Sequence, residues 1–386
     1  MIRKVVIAID SFKGSVSSLQ AGNQAAKAVR DLLPECDVTV LEVADGGEGT
    51  AQALVNSTGG KKMAVDTVNP LGEPIKAEIG LSRDGKTAYI DTAAAAGLTL
   101  IPRDKLNPIL TSTYGVGLLI RYAKSIGCNK IIVGAGGSAT VDGGIGLLQA
   151  LGYRFLDHDG HQLNPNGGAL NAISSIDASN AIDLSNIEII VASDVENYLC
   201  GDKGAARVFG PQKGATPQMV KQLDEGLLNL SKVADQAGFK GMSDIKGGGA
   251  AGGLSAALAI FAGAKIKSGI DTILDLINFN QIVSNADLII TGEGKIDNQT
   301  LGGKAPYGIA IRAEKIGIPR IVAICGSLDP NFTLPTSTFT ATSFVASPFT
   351  AVFPIIPTPC TLTDALKPET TLQNIYRTVT SIISLI

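Results

Sequence analysis

The chain has no tryptophan, only two histidines and five cysteines, and just 5% aromatic residues over 386 positions. Each scarcity removes a class of function. Cys36, Cys128, Cys200, Cys325 and Cys360 show no paired spacing, which excludes a zinc site or a disulfide framework; they read as buried thiols of a reducing compartment. His158 and His161 share one polar turn, Asp157-His158-Asp159-Gly160-His161, so acid–base chemistry falls to carboxylates, lysines and hydroxyls. A net charge of −3 without any basic block offers no nucleic-acid surface. Long hydrophobic runs are also missing. Asn331 to Thr363 is uncharged but broken by five prolines, and the apolar half of Gly247 to Ala264 covers only about half a bilayer. The first apolar run stops at Asp10, too short for a signal peptide. These absences predict a soluble cytoplasmic protein that acts on small molecules, with neither nucleic acid nor membrane as partner. Its oligomeric state is not written in the sequence.

What the chain does have is glycine beside carboxylate. Four glycine-rich segments read as loops that carry acidic residues or sit close to them: Ala44 to Thr50 (with Asp45 and Glu48), Gly134 to Gly144 (with Asp142), Gly247 to Gly253, and Thr291 to Asp297 (with Glu293). Glycine lets backbone N–H groups approach a phosphate, and a helix starting there adds a favourable dipole. Neighbouring carboxylates suit Mg²⁺ or a proton acceptor. The combination points to chemistry on a phosphorylated ligand.

The length predicts more than one domain. Val5 to Ile9 reads as a strand buried on both faces, followed by a helix over about 18–33, a strand over 38–43 and a helix over 50–57. That rhythm predicts an α/β fold with a mainly parallel sheet and active loops at the strand C-termini. After Gly60 it breaks: Met63 to Tyr89 alternates and carries turn signals, the pattern of antiparallel strands. Strands at 130–133, 187–192, 287–290 and 320–324 follow, with helix again near 372–383. Because the late strands resemble the early ones and the middle differs, the expectation is one domain, 1–66 plus 285–386, split by an inserted α/β domain, 67–284.

Several motifs have two readings. Gly80 to Thr87 matches the Walker A spacing, but the strand-like Ala88-Tyr89-Ile90 after it makes it a hairpin. Gly134-Ala135-Gly136-Gly137-Ser138-Ala139 after a strand fits a dinucleotide fingerprint with Asp157 as the ribose acid, which keeps an NAD(P)-dependent oxidoreductase as an alternative, although the helix expected at Asp142 or Gly143 starts late for it. A non-catalytic nucleotide-binding protein is the other alternative. Lys13 with Ser11 and Ser15 at the end of the first strand suits an anionic ligand, or is an ordinary turn. Asp194, ending a strand, suits a base or metal ligand, or a helix cap. Asp297 likewise caps a helix or contacts metal or nucleotide.

Taken in order, Asp-Ser-Phe-Lys-Gly (10 to 14), Ala-Asp-Gly-Gly-Glu-Gly-Thr (44 to 50), Thr-Ser-Thr-Tyr-Gly-Val-Gly (111 to 117), Gly-Gly-Ser-Ala-Thr (136 to 140), Phe-Gly-Pro-Gln-Lys-Gly-Ala (209 to 215), Gly-Gly-Gly-Ala-Ala-Gly-Gly (247 to 253) and Thr-Gly-Glu-Gly-Lys-Ile-Asp-Asn-Gln-Thr (291 to 300) resemble the bacterial glycerate kinase family. Val43, Val141 and Tyr198 depart from its pattern without removing a charged group. The resemblance implies ATP-dependent phosphorylation of D-glycerate to 2-phosphoglycerate, and two α/β domains, one flavodoxin-like and the other inserted, with the substrates in the cleft between them. On that basis Asp194 and Asp297 are expected as proton acceptor or Mg²⁺ ligands. Lys13 is expected in the chemistry, with Lys213 and Lys304 as further cations; Ser11, Lys13, Asp45, Ser138 and Thr140 are expected on glycerate. Gly248, Gly249, Gly292, Glu293, Gly294 and Lys304 are expected on ATP.

Overall fold

Lys4–Ile9 (β1) is a strand because its β-branched residues favour extended backbone and all of Val5 to Ile9 can be enclosed on both faces. Burying each such side chain stabilises the fold by about 1.5–3 kcal/mol. The remaining strands are Asp37–Glu42 (β2), Lys61–Val68 (β3), Pro74–Leu81 (β4), Thr87–Asp91 (β5), Lys130–Gly134 (β6), Arg154–Leu156 (β7), Ser175–Asp177 (β8), Glu188–Ala192 (β9), Lys265–Lys267 (β10), Leu288–Ile296 (β11), Ile321–Leu328 (β12), Thr338–Thr340 (β13), Ser343–Val345 (β14) and Ala351–Pro354 (β15). The computed structural model describes residues 2–47, 49–298, 300–332, 338–340, 343–345 and 348–386. Glu48 of the first glycine segment, Gln299 of the string at 291 to 300, and part of the Pro/Ser/Thr-rich tail lie outside the described residues.

Chain contacts define two units, Met1–Asp45 with Ile270–Ile386, and Gly46–Gly269. The first contains a five-stranded sheet in the order β15-β12-β11-β1-β2, parallel throughout. Numbered within that unit the order is 2-1-3-4-5, the doubly wound flavodoxin-like arrangement, whose ligand crevice lies at the strand C-termini where the order reverses, here β1 and β11. Helix Ser18–Leu32 opens with a capping box from Ser17 and Gln20. Helix Pro368–Leu385 contributes Ile375, Val379, Ile382 and Ile383 to the same core as β1 and β11.

The second unit holds a six-stranded sheet in the order β10-β9-β6-β5-β4-β3. Strands β10, β9, β6 and β5 run parallel, while β5-β4-β3 is an antiparallel meander. The Walker-like string is its hairpin: Gly85 N–H donates to Ser82 O, and Leu81 pairs with Ala88.

Two expectations need correction. The fourth glycine segment is strand, not loop, because β11 continues to Ile296 beside β12. Gly292 stands there for close packing: a Cβ would lie 2.2 Å from Ile324 O. The cysteines are free but not uniformly buried; Cys128 and Cys325 are enclosed, whereas Cys360 is exposed in a proline-rich segment that offers no core.

Candidate functional site

In the first unit, the Ser18 hydroxyl donates to Ile9 O (2.6 Å) and accepts from Val43 N–H (3.1 Å), tying the end of β1 to the segment after β2. Asp10 N–H donates to Gly292 O (2.8 Å), tying β1 to β11. The C-terminal ends of the strands thereby surround a cavity of about 390 Å³ lined by Asp10, Ser11, Lys13, Asp45, Glu293, Gly294, Lys295, Lys304 and Ser327. Six residues expected at the site, Ser11, Lys13, Asp45, Glu293, Gly294 and Lys304, thus share one cavity.

Asp10 is 6% exposed. Burial first, then the nearby Asp45 carboxylate, push its pKa up to about 7, against the Ser11 N–H bond and Lys13, which favour the ionised form. A carboxyl balanced near neutrality in a cavity can take a proton from a ligand. Lys13 Nζ lies 4.0 Å from Asp45. Glu293 is raised by burial, while the Thr300 hydroxyl, which donates to its Oε1 at 2.7 Å, and Lys304 at 3.8 Å oppose that. Asp297 pairs with Lys295 (3.3 Å) and Lys304 (3.5 Å), which both line the cavity. Carboxylates interleaved with ammonium groups can neutralise a polyanion and offer hard oxygen donors to a divalent cation.

In the second unit, the strings 111–117, 136–144, 209–215 and 247–253 meet in a sealed polar network. Lys213, 3% exposed, donates to Ser138 Oγ (2.8 Å) and Thr140 O (2.7 Å). Burial drives its pKa down to about 7, with Asp142 pulling the other way. Asp142, wholly enclosed, accepts from Thr113 N–H (2.8 Å), Thr113 Oγ–H (2.7 Å) and the N–H groups of Gly144 and Gly146. Thr140 Oγ1 is buried without a hydrogen-bond partner. Gly252, at φ +69°, lets its segment pass close to Thr140, whose carbonyl a Cβ would meet at 2.0 Å. Gly248 N–H donates to Ile245 O and Gly249 N–H to Asn197 O, so both are engaged within the protein. Asp194 Oδ1 accepts from Gly269 N–H at 3.0 Å. Helix Ile145–Ala150 begins beyond the Gly134 to Ala139 fingerprint, so those glycines do not open into the helix that follows them. Asp157 accepts from Asp159 and His161 N–H inside an exposed turn.

The sequence pattern assigns no role to Asp10; the tertiary crowding by Asp45 and Glu293 marks it. Thr300 and Lys295 likewise stand out only through their contacts with Glu293 and Asp297. An acid ending a fully apolar strand was the available signal for Asp10.

The glycerate kinase family model matches residues 5–386. The chain is 47% identical to a glycerate kinase of Bacillus subtilis over 326 residues, 84% of this chain and 85% of that protein. It is 44% identical to a glycerate 2-kinase of Escherichia coli, covering 84% and 85%. A crystal structure of a protein provisionally named glycerate kinase 2, from Salmonella typhimurium, superposes with a TM-score of 0.85 at 40% identity, covering 100% and 98%.

Proposed function

The chain belongs to the glycerate kinase family, and on that premise we propose that it transfers the terminal phosphoryl group of ATP to D-glycerate, giving 2-phosphoglycerate and ADP. The observation that carries the reading is the first unit's cavity, where one buried carboxyl balanced near neutrality faces lysines and further carboxylates. Phosphoryl transfer asks a protein mainly for positioning and charge neutralisation, and this arrangement supplies both.

Asp10 accepts the proton of the attacking glycerate hydroxyl. Lys304 and Lys295 balance charge on the transferring group, and Lys13 holds the glycerate carboxylate with Ser11. In the second unit, Lys213 orients Ser138: its ammonium donates to Ser138 Oγ, which leaves the serine proton for an outside acceptor. Magnesium usually takes one or two carboxylates plus phosphate oxygens and water, and Asp45, Glu293 and Asp297 fit that demand as oxygen donors; Asp194 is the candidate in the second unit. Bound there, the ion would neutralise charge on the phosphates.

A coupled ADP-release assay with D-glycerate against other small hydroxy acids tests the reaction, and phosphorus NMR of the product identifies the hydroxyl. Absence of glycerate-dependent ADP would end the reading; a 3-phosphate product would end its regiochemistry. The nicotinamide alternative has little support from the second loop, where the glycines do not open into the helix that follows them.

A further inference from the structure

The cavity that holds Asp10 and the lysines has a second wall outside the family strings, formed by Ile355, Ile356, Leu362, Ala365 and Leu366, with Asn374 beside it. The lining of the cavity therefore divides into charged groups, Lys13, Lys295 and Lys304 with Asp10, Asp45 and Glu293, and aliphatic side chains. A three-carbon hydroxy acid has nothing to place against an aliphatic wall. A nucleotide is divided the same way, into a polyanionic chain and a flat base with apolar faces.

Resting on the kinase reading above, we propose that this wall is the nucleobase subsite, with the purine face on Ile356, Leu362 and Leu366 and Asn374 donating to a ring acceptor. Leu362 supports this: it is 74% exposed, a large apolar side chain at the rim that a bound base would cover. Asn374 is 9% exposed, and its Oδ1 accepts from Arg377 Nη2 at 3.4 Å, the guanidinium that also donates to Ile355 O at 3.2 Å. That contact occupies the amide oxygen and leaves the amide N–H groups for the cavity. The Thr371 hydroxyl, by contrast, is engaged with Ala365 O (3.0 Å) and Ser15 Oγ (2.7 Å).

Such a wall reads ring size and a ring acceptor, which adenine and guanine share, and does not read the exocyclic groups that separate them. Apolar sites discriminate by about 10–200-fold, against about 10⁴–10⁵ for sites built around a specific hydrogen bond. Adenine and guanine nucleotides should therefore bind within about tenfold of each other.

Calorimetric titration of the full chain with ADP, GDP and inorganic tripolyphosphate tests the assignment. Leu362→Ser, at a side chain already in water, and Asn374→Ala should each weaken ADP about tenfold while tripolyphosphate binds as to the wild type. The subsite is overturned if both variants hold ADP like the wild type, or if ADP exceeds GDP by about 10⁴ or more. Binding is read apart from turnover. ADP held through Leu362 without glycerate phosphorylation keeps the subsite and removes the reaction; turnover with ADP binding unchanged in both variants does the reverse.

Discussion

The two units treat charge in opposite ways. In the first, Lys13–Asp45 and Lys304–Glu293 pairs sit at 4.0 and 3.8 Å around an open cavity, too loose for direct hydrogen bonds. In the second, Lys213 and Asp142 are sealed and bonded at 2.7–2.8 Å. The loose set lies at ion-pair distance around the cavity, with Glu293 also accepting from Thr300; the sealed set has spent most of its bonding capacity on holding four chain segments together. Equally charged regions thus differ in what they are free to do, and satisfied hydrogen bonds separate them better than residue type.

The sharpest way to break this contrast is Asp10→Asn. Turnover should fall by about 10² or more, because the proton acceptor is gone. The same variant should be more stable than wild type at alkaline pH. Asp10 has a native pKa of about 7 against 3.8 for the free group, so between those values the native state is protonated and the unfolded state ionised. Wild-type stability then falls as pH rises from about 4 to 7, and the asparagine variant lacks that fall. Thermal melts at pH 5 and pH 8, alongside turnover, check both signs; unchanged turnover would remove Asp10 from the chemistry.

Asp194→Asn and Asp297→Asn compare the units directly. A carboxylate acting as base or metal ligand should cost about 10² in turnover, whereas a merely structural one leaves turnover near normal once folding is confirmed by circular dichroism. Lys304→Met should raise the nucleotide KM about tenfold with a smaller change in the glycerate KM, as expected for loss of one partly exposed charge contact.

For the sealed network the expected signature is in stability. Lys213 has a native pKa of about 7, below its ordinary 10.5, so above pH 7 the unfolded state binds the extra proton and wild-type stability rises with pH towards 10.5. Lys213→Met should flatten that rise in melts taken between pH 7 and 10. An unchanged slope would mean that Lys213 stays charged in the native state. The smallest effect is expected at cysteine: Cys360 should react with a thiol reagent at once, while Cys325, buried and pushed up to about 12, should not react in the native protein.

Much of the fold was legible because it is local. The apolar run Val5 to Ile9, the Ser17 cap and the Asp84-Gly85 turn each follow from neighbouring residues. The fourth glycine segment reads as a loop in sequence because glycine signals a turn unless a neighbouring backbone demands closeness, and Ile324 is remote in sequence. The candidate site was legible by residue type: Lys13, Asp45, Glu293 and Lys304 do share a cavity. Asp10 and the Ile355–Leu366 wall were not, since desolvation and enclosure arise only after distant segments pack.

By itself, the amino-acid sequence determined the alternation of strand and helix, the absence of metal-binding cysteine pairs and the identity of the charged groups, all properties of short segments. Tertiary structure alone decided which of those charges face an open cavity and which are locked away. The physical reason is that burial, and the pKa and hydrogen-bond satisfaction that follow from it, belong to the neighbours a residue acquires in space.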